Sequence, residues 1–419
     1  MDRSAHYQAV IDRYQADRRL PSIVAGVLRG PELAWSGTAG SAATTDLQYR
    51  IGSITKTLTA VLVLQCRDDG LLDLDDAIGK HLPDAGYGSA TVRSLLAHVS
   101  GMQSEPVGTW WERSPGTSVE ELLARNDGSG AVFEPEAHYH YSNLGYGLLG
   151  AAVARLRDQP WSGLVEERIL TPLGMTRTSY LPEEPYAVGL SVHHLTGVLA
   201  EEPLHDTGAM APAGQLWSTI EDLTRFAAFL ALGHPHVLAD STLAEMRQPV
   251  PPAVDYGLGL RMLPYADGVL VGHTGSMPGF QAALFTDPLN QVGVVALTNA
   301  TTGFSGPELA LALLAERTPG PAPAWVPTTS VPAWAAELLG YWHWGNSAYE
   351  VRWHNQRLEW RDLARTGTVA ELFHLDGDRI VGLAGYHHGE TLHVVRRGDG
   401  SVDHLECATF VYTREPYPA

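Results

Sequence analysis

The feature that most constrains this chain is a break in texture. Residues 318–335, TPGPAPAWVPTTSVPAWA, hold five prolines in eighteen positions. Proline fixes φ and removes a backbone donor, so such a stretch reads as a semi-rigid linker rather than a helix or central strand. What lies before and after it differs. The first 317 residues mix helical and strand patterns, whereas from 336 onward only short alternating stretches occur, YEVRWH, RLEWRD, VAELFHL, DRIVGLA, TLHVVRR and DHLECATFVY among them. Seven or eight such strands separated by turn residues predict a small barrel or sandwich. The expected division is 1–317, a linker 318–335, and a β-rich domain 336–419. Six of the eleven tryptophans lie from Trp325 onward, and they are expected to fill the small core.

The first segment opens with an amphipathic helix in which Tyr7, Val10, Ile11 and Tyr14 share a face. Two short strands follow, SIVAGVLRG and ELAWSGTAG. Helices are expected over 54–69, 142–157 and 218–232, the last with Ser218 and Glu221 as a capping box. Then YGLGLRML, GVLVGHT, GFQAALFTD and QVGVVALTN read as four strands in succession, and GPELALALLAER as a final helix. This order predicts an α+β fold, an antiparallel sheet covered by helices.

Bulk properties narrow the function. A net charge of -19 with no basic stripe argues against a nucleic-acid partner. No apolar run is long enough for a membrane helix. The N-terminal MDRSAHYQAVIDRYQADRRL lacks the apolar core of a secretory signal, which predicts a cytoplasmic setting. Cys66 and Cys407 lie in no metal-like spacing, and His193–His194 has no third ligand at a plausible distance in sequence, so neither a metal nor a cofactor is expected.

Of 28 basic residues only two are lysine, Lys56 and Lys80. Lys56 stands in YRIGSITKTLTA, three residues after Ser53, at the start of an expected helix. Positions i and i+3 share a helix face, and a serine hydroxyl needs a neighbouring base to become a nucleophile. Arginine cannot surrender a proton, whereas a desolvated lysine can. Taken alone, Ser-x-x-Lys is equally a helix cap beside a surface lysine.

Two further pieces occur in order: Tyr141-Ser142-Asn143 in HYHYSNLGYG, and His273-Thr274-Gly275 in VGHTGSMPGF. The set resembles the penicillin-binding-protein and class C β-lactamase superfamily of active-site-serine enzymes, with Ser-x-x-Lys, Tyr-x-Asn and Lys/His-Thr-Gly. SLLAHVSGM, ERILTPLGMTRTSY and PAGQLWSTIEDLTRFAAFL add to the likeness, which spans residues 5–317. It implies a β-lactamase/transpeptidase-like fold with Ser53 as nucleophile. Lys56 and Tyr141 become the proton-handling pair, with either as the base, and Asn143 positions the substrate amide and the Lys56 ammonium. The backbone N–H groups of Ser53 and Ser276 form the oxyanion hole, and His273 faces the cleft beside Thr274 and Gly275. Trp110 and Trp111 either line the acyl pocket or are simply buried, and Trp217 is expected to wall the cleft. Antibiotic-facing members usually carry lysine where this chain has His273, and the Ser-Asp-Asn of class A enzymes is absent. The favoured expectation is a penicillin-binding-protein-type thioesterase, a branch with a lipocalin-like second domain. Such an enzyme takes a peptidyl thioester from a peptidyl carrier protein and releases it by head-to-tail macrocyclisation. The alternative is an esterase or D-amino-acid amidase acting on a small ester or amide.

Overall fold

A computed structural model describes residues 3–41, 43–266, 268–365 and 368–416. The chain forms two compact units. One holds the chain up to Ser191 together with Glu201–Val326; the other holds Val192–Ala200 and everything from Pro327. The hairpin tip at 192–200 therefore leaves the segment to which its sequence position assigns it.

In the first unit, six antiparallel strands lie in the order Glu32–Gly40, Ser22–Arg29, Val292–Thr298, Phe280–Asp287, Gly268–Met277 and Arg261–Tyr265. Helices cover both faces, which is why Ser22–Arg29 is buried almost throughout rather than alternating. The side-chain period of two splits its residues between two cores. Ile23, Ala25 and Val27 pack with the helices Ser4–Arg18 and Gly306–Leu314. Val24 and Leu28 belong to the larger core around Ile54–Asp68, Asn143–Arg157 and Ile220–Leu232. The last expected strand pattern but three is displaced: Tyr256–Leu260 is not strand, and pairing begins at Arg261. The helix Ile220–Leu232 is capped by Thr219, whose hydroxyl accepts from Asp222 N at 3.3 Å, not by the Ser218–Glu221 box. Ser218 instead pairs with Tyr49 in a two-stranded ladder.

The second unit contains a closed eight-stranded antiparallel barrel running in sequence order from Gly340–Trp344 to Phe410–Thr413. Closure leaves no exposed edge. Trp342, Trp353 and Trp360 fill its interior with Val351, Leu358, Phe373 and Leu405. The expectation for the tryptophans holds for these three; Trp344 is 45 % exposed, and Trp325 packs in the first unit, its backbone bound at both ends by Gln15. The 192–200 hairpin joins this unit through Trp353 N, which donates to Leu195 O at 2.7 Å, and through His194, 2.5 Å from the Glu350 carboxylate. The adjacent histidines thus include a structural pair. Among the described residues no helix is long and apolar enough to cross a membrane.

Candidate active site

The helix Ile54–Asp68 is buried on nearly every side, so whatever polar group it carries inward is desolvated. Two glycines bring its start against the strand Gly268–Met277. Gly52 has φ +52°, and a Cβ there would sit 2.5 Å from Ser276 N. A Cβ on Gly275 would lie 1.9 Å from Ile51 O and 3.2 Å from Ser53 N. No side chain fits between them, and the backbone N–H groups of Ser53 and Ser276 are thereby drawn to one place.

Ser53 occupies the cap position but makes no side-chain capping bond. Its hydroxyl is free for Lys56, whose ammonium donates to Ser53 Oγ at 2.9 Å and to Ala213 O at 2.6 Å. Lys56 is 0 % exposed. A surface lysine beside a helix cap is thereby excluded. Burial depresses its pKa to about 7, with the charges of Glu105 and Glu112 acting in the opposite sense.

The Tyr141 ring centre lies 5.0 Å from Lys56 Nζ, and Ser53 acts on its hydroxyl in the sense opposite to burial. Burial raises its hydroxyl far above the ordinary phenol value. Ser142 caps the helix Asn143–Arg157, accepting from Gly145 N at 3.1 Å. That cap fixes where Tyr141 leaves the helix. Asn143 is almost fully buried, and its amide donates to Glu105 Oε1 at 2.6 Å.

His273 departs from expectation. It does not face an open cleft: it is 2 % exposed. Its Nδ1–H donates to Thr274 O at 2.6 Å, which leaves Nε2 to accept from the Tyr256 hydroxyl at 2.9 Å. Burial, reinforced by Lys56 and Arg261, holds its pKa at about 3, so the ring is neutral across the physiological range. Thr274 is partly exposed, Gly275 buried, and the Ser276 side chain exposed.

The tryptophans separate. Trp217 is fully buried, packed edge-on against Phe280 with ring centres 5.0 Å apart and against Tyr186 at 5.8 Å. It supports the sheet and does not wall a pocket, because its strand pairs with Tyr49–Arg50 inside the core. Trp111 is mostly buried and donates through Nε1 to Glu105 Oε2 at 2.7 Å. Trp110 is 60 % exposed, donates to Glu112 Oε2 at 2.9 Å and carries the Arg113 guanidinium over its ring.

Sequence reasoning did not single out His98, Glu105 or Tyr256. His98 lies within the quoted SLLAHVSGM, but only the fold reveals its position. Its ring is 4.1 Å from that of Tyr141 and 4.9 Å from that of Tyr256, and its Nδ1 accepts from Ser142 N at 3.0 Å. Burial and the nearby Lys56 hold it neutral. Glu105 joins Asn143 to Trp111 and places a carboxylate near Lys56.

The beta-lactamase family model matches residues 7–317, most of the chain. The chain belongs to the beta-lactamase family. Residues 331–414 match a separate domain of unknown function, DUF7586. Among curated proteins, Penicillin-binding protein 4 of Amycolatopsis lactamdurans is 29 % identical over 336 residues, 72 % of this chain and 86 % of that protein. Beta-lactamase-like protein 2 of Dictyostelium discoideum is 29 % identical over 265 residues, 58 % of this chain, so the match spans about half of that relative, 48 %. Three solved structures are similar. A D-stereospecific amidohydrolase from Streptomyces sp. has 29 % identity and a TM-score of 0.60 over 71 % of this chain and 94 % of its own. D-amino acid amidase from Ochrobactrum anthropi SV3, complexed with D-phenylalanine, has 25 % identity and a TM-score of 0.66 over 75 % and 98 %. SurE has 26 % identity and a TM-score of 0.63 over 99 % of both chains, and has also been crystallised with D-Leu. The chain is accordingly a member of a serine hydrolase superfamily whose neighbours include D-amino-acid amidases and penicillin-binding proteins.

Proposed function

We propose that this family member is a serine acyltransferase that cleaves an amide or ester of a D-configured residue bearing an ammonium group. The carrying observation is Lys56, wholly buried, 2.9 Å from Ser53 Oγ and depressed to about 7. Once neutral, its amine accepts the Ser53 proton as Oγ attacks the carbonyl carbon. The oxyanion is met by the N–H groups of Ser53 and Ser276. Tyr141, kept protonated by burial, is the donor to the leaving group and is reprotonated from the Lys56 ammonium. This division makes Lys56 the base. Water then attacks the Ser53 ester.

Two features support the substrate class. A neutral, buried His273 offers no charge to a substrate carboxylate. Glu105 and Glu112 act on Lys56 from the same loop, a field that suits an incoming ammonium. The D configuration is supported by the similar structures, among them a D-stereospecific amidohydrolase, a D-amino acid amidase and SurE with D-Leu.

A second reading is favoured by the C-terminal barrel, the layout expected of penicillin-binding-protein-type thioesterases. Here Ser53 takes the acyl group from a peptidyl thioester on a carrier protein, and the peptide's own amine replaces water. The test is a panel of D- and L-aminoacyl amides and peptidyl thioesters followed by mass spectrometry. D-selective amide hydrolysis supports the first reading. Loss of thiol without gain of water supports the second. No turnover and no fluorophosphonate labelling of Ser53 overturns both.

A further inference from the structure

Outside the serine site, the barrel unit gathers a second set of chemistry-bearing side chains. His387 and Glu390 lie in the turn between the strands Arg379–Ala384 and Thr391–Arg396, and Cys407 ends the strand Val402–Cys407. A ring nitrogen of His387, a Glu390 carboxylate oxygen and Cys407 Sγ all lie within 4.8 Å of one another. The His387 Nδ1 to Glu390 Oε2 separation is 3.5 Å.

The histidine is the decisive member. It is 1 % exposed, and its Nδ1 has no hydrogen-bond partner. Its other nitrogen, Nε2, lies 3.2 Å from the Tyr412 hydroxyl. In the tautomer whose Nε2–H donates to the Tyr412 hydroxyl, the Nδ1 lone pair is left for a ligand, on the side of the Glu390 carboxylate. A ligating histidine typically has its far nitrogen held in this way. The turn is also braced: Glu371, nearly buried, accepts from Tyr386 N and His387 N, each at 3.1 Å. Phe410 packs edge-on against the imidazole with ring centres 4.8 Å apart.

From these residues we infer that His387, Glu390 and Cys407 form a binding site for a borderline-soft divalent cation of the Zn2+ type. Nitrogen, oxygen and sulfur donors together suit zinc better than magnesium or calcium. Bond lengths of about 2.0–2.3 Å in a tetrahedral site place donor atoms roughly 3.3–3.8 Å apart. The histidine–glutamate pair already has that spacing, and the thiol closes on it by at most about 1.5 Å. Glu390 is half-exposed, which provides an entry path and leaves the fourth position to water. Binding breaks the Cys407 S–H bond: the thiolate sulfur bonds the cation and the proton passes to solvent. The bound ion would pin the 385–390 turn to the strand Val402–Cys407.

The experiment uses the full chain, treated with chelator and titrated with Co2+ as a spectroscopic probe. One equivalent should develop a near-ultraviolet thiolate-to-cobalt absorption, which Zn2+ then abolishes. Zn2+ should also protect Cys407 from alkylation and raise the Tm. His387→Ala and Cys407→Ser should lose the band, whereas Cys66→Ser should keep it. Should the buried substitutions unfold the barrel, Glu390→Gln, at a half-exposed position, should weaken Zn2+ binding by about tenfold or more with the fold intact. A band retained in Cys407→Ser, or no thiolate band in the wild type, overturns the site and leaves a plain histidine–glutamate pair beside an inert thiol.

Discussion

Two buried charges, one in each unit, behave in opposite ways. Glu350 in the barrel is 2 % exposed and is met by His194 and Arg352. These partners hold its pKa below the usual carboxylate value although burial alone would raise it. Lys56 in the first unit is 0 % exposed, and its two hydrogen-bond acceptors are an uncharged hydroxyl and a backbone carbonyl. Its charge is left uncompensated at close range, and its pKa falls to about 7. Burial is common to both; what separates scaffold from chemistry is whether the buried group is neutralised.

The comparison is tested most severely by removing the lysine. Lys56→Met should cut fluorophosphonate labelling of Ser53 by about 10²–10⁴-fold, the usual worth of a positioned base, with unchanged circular dichroism. Unaltered labelling would return Lys56 to the scaffold. The pH profile follows in size. Labelling should rise with pH through about 7 and fall roughly tenfold per unit below it, because the lysine must be neutral to take the proton. A flat profile between pH 5 and 7 would count against a depressed lysine. Stability should divide the same two residues the other way. Glu350→Gln breaks a satisfied group and should cost about 1–3 kcal/mol in urea unfolding of the barrel. Lys56→Met removes an uncompensated buried amine and should leave the first unit as stable or more stable. The smallest effect is expected of Tyr256→Phe, which strips His273 Nε2 of its donor at 2.9 Å and should lower labelling only a few-fold. A loss as large as that of Lys56→Met would make His273 a participant rather than a support.

Much of the fold is legible locally. The helix that follows Ser53 ends at Asp68, one residue before the glycine stop allows, and the strands Phe280–Asp287 and Val292–Thr298 match their apolar runs. The barrel strands follow from alternation alone. The failures are informative. Tyr256–Leu260 has strand composition but leads into the site as a loop, carrying Tyr256 to His273. Ser218 looked like a cap, but the ladder with Tyr49 claims it, and Thr219 takes the cap instead. Trp217 looked like a pocket wall, but a large apolar ring is stabilised more by full burial against Phe280 than by half-exposure.

The chain's own letters carry the family and the two-part layout: three motifs in order, a lysine where arginine is the rule, and two textures split by prolines. These signals are short-range, and residues three apart on a helix must meet wherever that helix is placed. Only the tertiary structure decided that Lys56 is dry, that His273 is neutral and shielded, and that His98 and Glu105 brace the site. It also decided that the 192–200 hairpin belongs with the barrel and that Cys407 meets His387. Each of these depends on burial or on a charge delivered by a segment distant in the chain. Desolvation is a property of the assembled core, so no spacing along the chain encodes it.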